Sequence, residues 1–96
     1  MKHVYLVCYD IADPIRWKAI FRIMKAYGDA IQLSVFRCVL TAEAHVRLLA
    51  DLTDQIQPSE DKVLIADLGP LDGRAESAIE ILGKPIVDVL RGPIIL

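Results

Sequence analysis

The sequence predicts an α+β domain of element order βαββαβ with an extra C-terminal strand. Three observations carry that prediction. Residues 4–9, "VYLVCY", and 62–68, "KVLIADL", offer apolar side chains to both alternating faces, as strands covered on two sides do. Segments that begin at Asp13 and Thr41 pair a capping side chain with apolar residues at helical spacing. Between them, "AIQLSVFRCVL" at 30–40 is rich in β-branched residues and too long for one short strand.

The first strand is expected over Lys2 to Asp10. "DP" at 13–14 then starts a helix, with Asp13 at the N-cap and Pro14 at the first helical position, where its missing N–H costs nothing. Trp17, Ile20, Phe21, Met24 and Tyr27 form one apolar stripe, and Gly28 stands where a C-terminal glycine ends a helix. Residues 30–40 supply two strands, or one strongly bent strand, broken near Gln32–Ser34. Thr41 caps a second helix whose apolar positions are Leu48, Leu49, Leu52 and Ile56, and Glu43 in its first turn favours the helix dipole. "QPSED" at 57–61 is a loop, 62–68 a strand, and "GPLDG" at 69–73 a turn. "SAIEIL" at 77–82 alternates as a last strand, and Gly83, Pro85, Gly92 and Pro93 leave an extended apolar tail.

This order is that of a ferredoxin-like domain, here one domain over 1–96 with its βαββαβ core in 1–68. Residues 69–96 are the C-terminal strand and tail, expected to dock on a second copy or another partner. Two helices cover one face of a four-stranded sheet, yet the first and fourth strands have no polar face. A second copy of the sheet is the simplest cover, so a twofold homodimer with facing sheets is expected.

Ninety-six residues suit a single small domain. No apolar run approaches the roughly 18–20 residues of a membrane span, so no membrane role is expected. Lys2 and the short apolar run after it lack a cleavage site, which reads as a mature start. Cys8 and Cys38 lack metal or redox spacing and are expected as reduced thiols of a cytoplasmic protein. Net charge is −2, but unevenly placed: residues 1–50 carry seven bases against four acids, and 51–96 four bases against nine acids. No Gly-rich phosphate loop, zinc spacing or nucleophile elbow occurs.

Asp10, where the first strand ends, is the candidate metal-ligating and catalytic residue. If odd positions face the helices, Asp10 shares the dimer-facing side with Leu6 and Cys8, and two copies bring two carboxylates together. Two facing carboxylates can share one hydrated Mg²⁺ or Mn²⁺, an ion able to activate water and stabilise a phosphodiester transition state. The plainer alternative is a carboxylate that accepts backbone bonds in the following turn. Asp13 reads as a helix cap and Asp67 as an acid at a strand end. Lys18, Arg22 and Lys25 fall on one narrow helical arc, with Arg16 to one side and no acid between Asp13 and Asp29. The plainer alternative for such a row is a solvated helix face; the functional reading is contact with phosphate backbones without sequence preference, which Arg37 is expected to extend. His3 and His45 stand apart from each other and from any paired acid in sequence.

The run "YDIADPIRWKAIFRIMKAYGDAIQLSVFRCVL" resembles the CRISPR-associated Cas-two family. Tyr9-Asp10-Ile11, Asp13, Arg16, Tyr27-Gly28, Gln32 and Ser34-Val35-Phe36 carry the likeness, which covers about residues 2–68. The resemblance implies a ferredoxin-like homodimer in which each C-terminal strand lies on the other subunit's sheet. It implies Asp10 as the proposed Mg²⁺ ligand, one from each subunit. It also implies a dimer that bridges dimers of the Cas-one integrase, in some systems beside a Cas-four nuclease, and supports duplex DNA before its insertion into the CRISPR array. Some members are described instead as metal-dependent endonucleases acting on RNA or DNA. Many relatives carry an acid where this chain has Arg37, a change that suits a DNA-facing surface. A ligand-binding or regulatory module of the same architecture would need a pocket, for which the sequence carries no signal.

Overall fold

Asp13 and Thr41 start the two helices as their chemistry dictates. The Asp13 carboxylate accepts the amide of Arg16 at 2.9 Å, and the Thr41 hydroxyl accepts that of Ala44 at 3.1 Å. The structure, a computed structural model, describes residues 1–84, with Glu76 described by its backbone alone. In chain order these form β1 (His3–Asp10), α1 (Pro14–Tyr27), β2 (Asp29–Gln32), β3 (Val35–Leu40), α2 (Ala42–Gln55) and β4 (Lys62–Pro70), followed by a 3₁₀ turn, Arg74–Ser77. The sheet order is β2-β3-β1-β4 with every neighbouring pair antiparallel, the ferredoxin-like arrangement.

Alternation in β1 and β3 decides what is covered. Tyr5, Val7 and Tyr9 of β1 and Phe36, Cys38 and Leu40 of β3 are buried, and they join Ile20 and Met24 of α1 with Leu48 and Leu52 of α2 in one core. Each fully buried side chain of the size of Phe36 or Ile20 contributes roughly 1.5–3 kcal/mol. Trp17, Phe21, Tyr27 and Ile56 pack around this core as their helical spacing predicts. Leu49 does not: it is 40% exposed, because one residue along a helix turns it about 100° away from Leu48. Burial also pushes the Cys38 thiol up to about 12, so this cysteine is an inert core residue.

Gly28 ends α1 for a reason different from the expected one. Its backbone is extended (φ −163°) and its N–H caps Met24 O. What excludes a side chain is β3: a Cβ would stand 2.5 Å from Arg37 O and 2.5 Å from Cys38 Sγ. The glycine therefore lets the helix end press directly on the sheet.

The other sheet face carries Leu6, Cys8 and Asp10 of β1, Val35, Arg37 and Val39 of β3, and Leu64 and Ala66 of β4. Leu64 is 54% exposed there. Among the described residues this face is closed near the start of β1, where Val4 is fully buried and Ala75 of the 3₁₀ turn nearly so. The strand expected over 77–82 is not formed within the chain: Ser77 ends the 3₁₀ turn, and 78–84 carry no strand. A strand needs a neighbour's amides and carbonyls. Residues 79–84 instead lie beside the open face, where Ile79 and Ile81 share with Leu6, Ile31 and Val35 the lining of a cavity of about 440 Å³. The expected tail from residue 85 onward lies outside the described residues.

Candidate metal and nucleic-acid site

Asp10 is the last residue of β1, exposed, and on the open face with Leu6 and Cys8, as the odd-inward phase requires. Its surroundings are fixed from two sides. On one, the Tyr9 hydroxyl donates to Leu33 O at 2.8 Å and its amide to Ser34 O at 3.1 Å, while Trp17 Nε1 donates to Ser34 Oγ at 3.3 Å. These bonds hold the β2–β3 turn against the end of β1, and burial pushes the Tyr9 phenol up to about 12. Ser34 is thus a structural hydrogen-bonding partner.

On the other side stands Asp61, whose side chain has no exposed surface. It accepts the amide of Ala12 at 2.9 Å and that of Gln57 at 2.8 Å. The Arg16 guanidinium donates to it at 2.8 Å from Nε and 3.1 Å from Nη2, and reaches Glu60 at 2.9 Å. Arg16, then the two amides, hold the Asp61 carboxyl far below the usual carboxylate range. Reciprocally, the Asp61 bond raises the Arg16 pKa. The sequence placed Arg16 with the DNA-contacting cations; the structure commits its guanidinium to these two acids.

Lys18, Arg22 and Lys25 are exposed along α1, and no ion pair among the described residues takes up any of them. The Lys25 ammonium sits 5.7 Å from the centroid of the Phe21 ring, a cation–π contact that steadies it. Arg37 is not part of this row. It is half-buried on the open sheet face, opposite Leu6 and Asp29, while α1 covers the other face. The expected continuous surface of α1 and Arg37 is therefore divided by the sheet itself.

For a metal, one chain offers a single well-exposed carboxylate at this position. Among the described residues no three His, Cys, Asp or Glu side chains gather as a metal site. An exposed oxygen donor suits a hard ion that keeps most of its water, such as Mg²⁺, and does not suit a softer ion needing a closed ligand set.

Sequence reasoning missed two arrangements. Asp61 looked like loop, and its role depends on β1, α1 and β4 converging. At the opposite end of β1, His3 Nδ1 lies 2.9 Å from Asp67 Oδ1. The His3 bond and the Gly69 amide hold the Asp67 carboxyl below its ordinary value. Tyr5 stacks on His45 with centroids 4.4 Å apart, so both histidines and Asp67 flank one buried tyrosine. The signal was the antiparallel pairing of β1 with β4, which brings His3 and Asp67 together.

A protein-family model described as "CRISPR associated protein Cas2" matches residues 2–71, a span that holds all four strands and both helices. The chain belongs to the Cas2 family. It is 41% identical over 95 residues to the CRISPR-associated endoribonuclease Cas2 1 of Rhodospirillum rubrum, covering 99% of this chain and 92% of the relative. It is 35% identical over 96 residues to the CRISPR-associated endoribonuclease Cas2 of Geobacter sulfurreducens, covering 100% of both. Among solved structures, it is similar to Cas2 of Streptococcus pyogenes at pH 6.5, with a TM-score of 0.71, 27% identity, and 83% of this chain and 99% of that chain covered. As a Cas2 family member it is a protein of CRISPR systems. No helix among the described residues is long and apolar enough to cross a membrane.

Proposed function

We propose that the chain acts in CRISPR adaptation as a twofold dimer that holds duplex DNA and bridges dimers of the Cas-one integrase, which performs the strand transfer. The observation that carries this reading is the exposed row of Lys18, Arg22 and Lys25 on α1, which no ion pair among the described residues takes up, in a chain of net charge −2. Such a local row draws phosphate by counterion release and needs no catalytic group. Pairing over the open face places two such rows on the outer sides of the dimer, and removes Leu64 from water. The test is a duplex-binding titration against salt for Arg22→Glu/Lys25→Glu. The expected result is a large loss of affinity and a shallower salt slope with the dimer intact. Unchanged binding at moderate salt overturns the surface.

A second reading, a metal-dependent endonuclease, is favoured by the exposure of Asp10 at the end of β1 and by the names of the relatives. Asp10 from each copy would hold Mg²⁺ or Mn²⁺, which when bound supplies water activation and charge neutralisation at a phosphodiester. The chain's own contribution is positional: Asp61 and the Tyr9–Ser34 bonds fix the backbone on either side of Asp10. Metal-dependent cleavage lost in Asp10→Ala supports this reading, and cleavage that survives the substitution contradicts it.

A further inference from the structure

Lys62 opens β4 directly across from Asp10 in the antiparallel register. Residues directly opposite in such a pair share a face, with Cα atoms about 4.5–5.5 Å apart. Both side chains are exposed, and no hydrogen bond or ion pair among the described residues takes up either one. Their neighbourhood is not left to the strands alone. Asp61, the residue before Lys62, accepts the amide of Ala12, two positions after Asp10, and its other oxygen accepts Arg16. A buried carboxylate thus ties the end of β1 to the start of β4. It holds a carboxylate and an ammonium at one spot on the rim of the open face, where Cys8 pairs with Leu64 and Arg37 stands further along, opposite Leu6.

A bare carboxylate that holds a divalent cation needs a second group to orient an anionic substrate, because the ion alone does not set its register. An ammonium across the strand supplies a mobile point charge suited to a phosphate oxygen. The same charge works against the cation, since two positive charges within several ångströms repel. We propose that Lys62 is a second functional residue of the Asp10 site: its ammonium contacts the phosphodiester of a nucleic-acid strand presented there and weakens the hold of Asp10 on a divalent cation. The metal half rests on the reading of Asp10 as a metal ligand; the phosphate half does not. Lysine on an edge strand also discourages unwanted strand pairing, a role that predicts neither effect.

The experiment compares full-length wild type, Lys62→Gln, Asp10→Ala and Lys2→Gln, the last removing the same charge next to the far end of β1. Mn²⁺ affinity is read from the paramagnetic resonance of the free ion. Affinity for a short fluorescein-labelled DNA duplex is read by anisotropy in EDTA across a salt series. Lys62→Gln is expected to tighten Mn²⁺ binding about 3-fold. It is also expected to weaken duplex binding, with a salt slope smaller by about one unit for each phosphate the side chain no longer reaches. Lys2→Gln is expected to change neither. Equal behaviour of Lys62→Gln and Lys2→Gln in both readouts overturns the proposal. If Asp10→Ala leaves Mn²⁺ binding intact, the metal reading of Asp10 and the metal half of the proposal fall together. A duplex defect confined to Lys62→Gln then still supports the phosphate half.

Discussion

Arg16 and Asp61 meet in a two-point contact, with Nε 2.8 Å from Oδ2 and Nη2 3.1 Å from Oδ1, beneath the end of the strand that presents Asp10. The carboxylate is enclosed and further bonded to the amides of Ala12 and Gln57. The pair is a joint between β1, α1 and β4, and removing one partner leaves the other charge buried or misplaced.

Asp61→Asn is therefore expected to lower the melting temperature at neutral pH by on the order of 10 °C. Because the folded pKa of Asp61 lies far below its unfolded value of about 4, its contribution is complete above that pH and is lost as pH falls below it. The gap between wild type and Asp61→Asn should accordingly narrow in acid. Asp67, also held low by His3, adds to the acid sensitivity of both proteins and cancels in the comparison. A gap that stays constant with pH in thermal melts would contradict the account of Asp61.

Gly28→Ala puts a methyl group 2.5 Å from the carbonyl oxygen of Arg37 and 2.5 Å from the Cys38 sulfur. The backbone there is extended, so the cost is steric crowding and not a strained φ. We expect a destabilisation of about 1–3 kcal/mol in denaturant unfolding. A neutral substitution would mean that α1 and β3 separate more easily than their packing implies.

Much of this architecture was legible beforehand, for local reasons. Asp13-Pro14 and Thr41 announce their helices because capping chemistry acts within four residues. The sequence leaves the phase of β1 open, because both of its faces are apolar; the structure turns Tyr5, Val7 and Tyr9 inward. What escaped notice was non-local. Arg16 looked like one more cation beside Lys18 until the fold delivered Asp61 to it. Arg37 was joined in expectation to α1, yet alternation in β3 turns it to the opposite face from Phe36 and Cys38. The strand expected at 77–82 is one that pairs with a second copy's sheet edge, and among the described residues the single chain forms no strand there.

Leu64, 54% exposed in the single chain, lies on the face assigned to the second copy. Leu64→Asp buries a charge in that interface while sparing the helix-side core. Sedimentation equilibrium should show a dimer for wild type and a dissociation constant at least ~100-fold weaker for the variant, with unchanged circular dichroism. A variant as dimeric as wild type would place the interface elsewhere.

Spacer integration into an array-bearing plasmid by the cognate integrase tests the central claim most directly, with wild type compared against Asp10→Ala and against Arg22→Glu/Lys25→Glu. A DNA-holding scaffold predicts near-normal integration with Asp10→Ala and loss of integration with the α1 double variant. Collapse with Asp10→Ala while the dimer and the integrase complex still form, together with normal integration by the double variant, would contradict it.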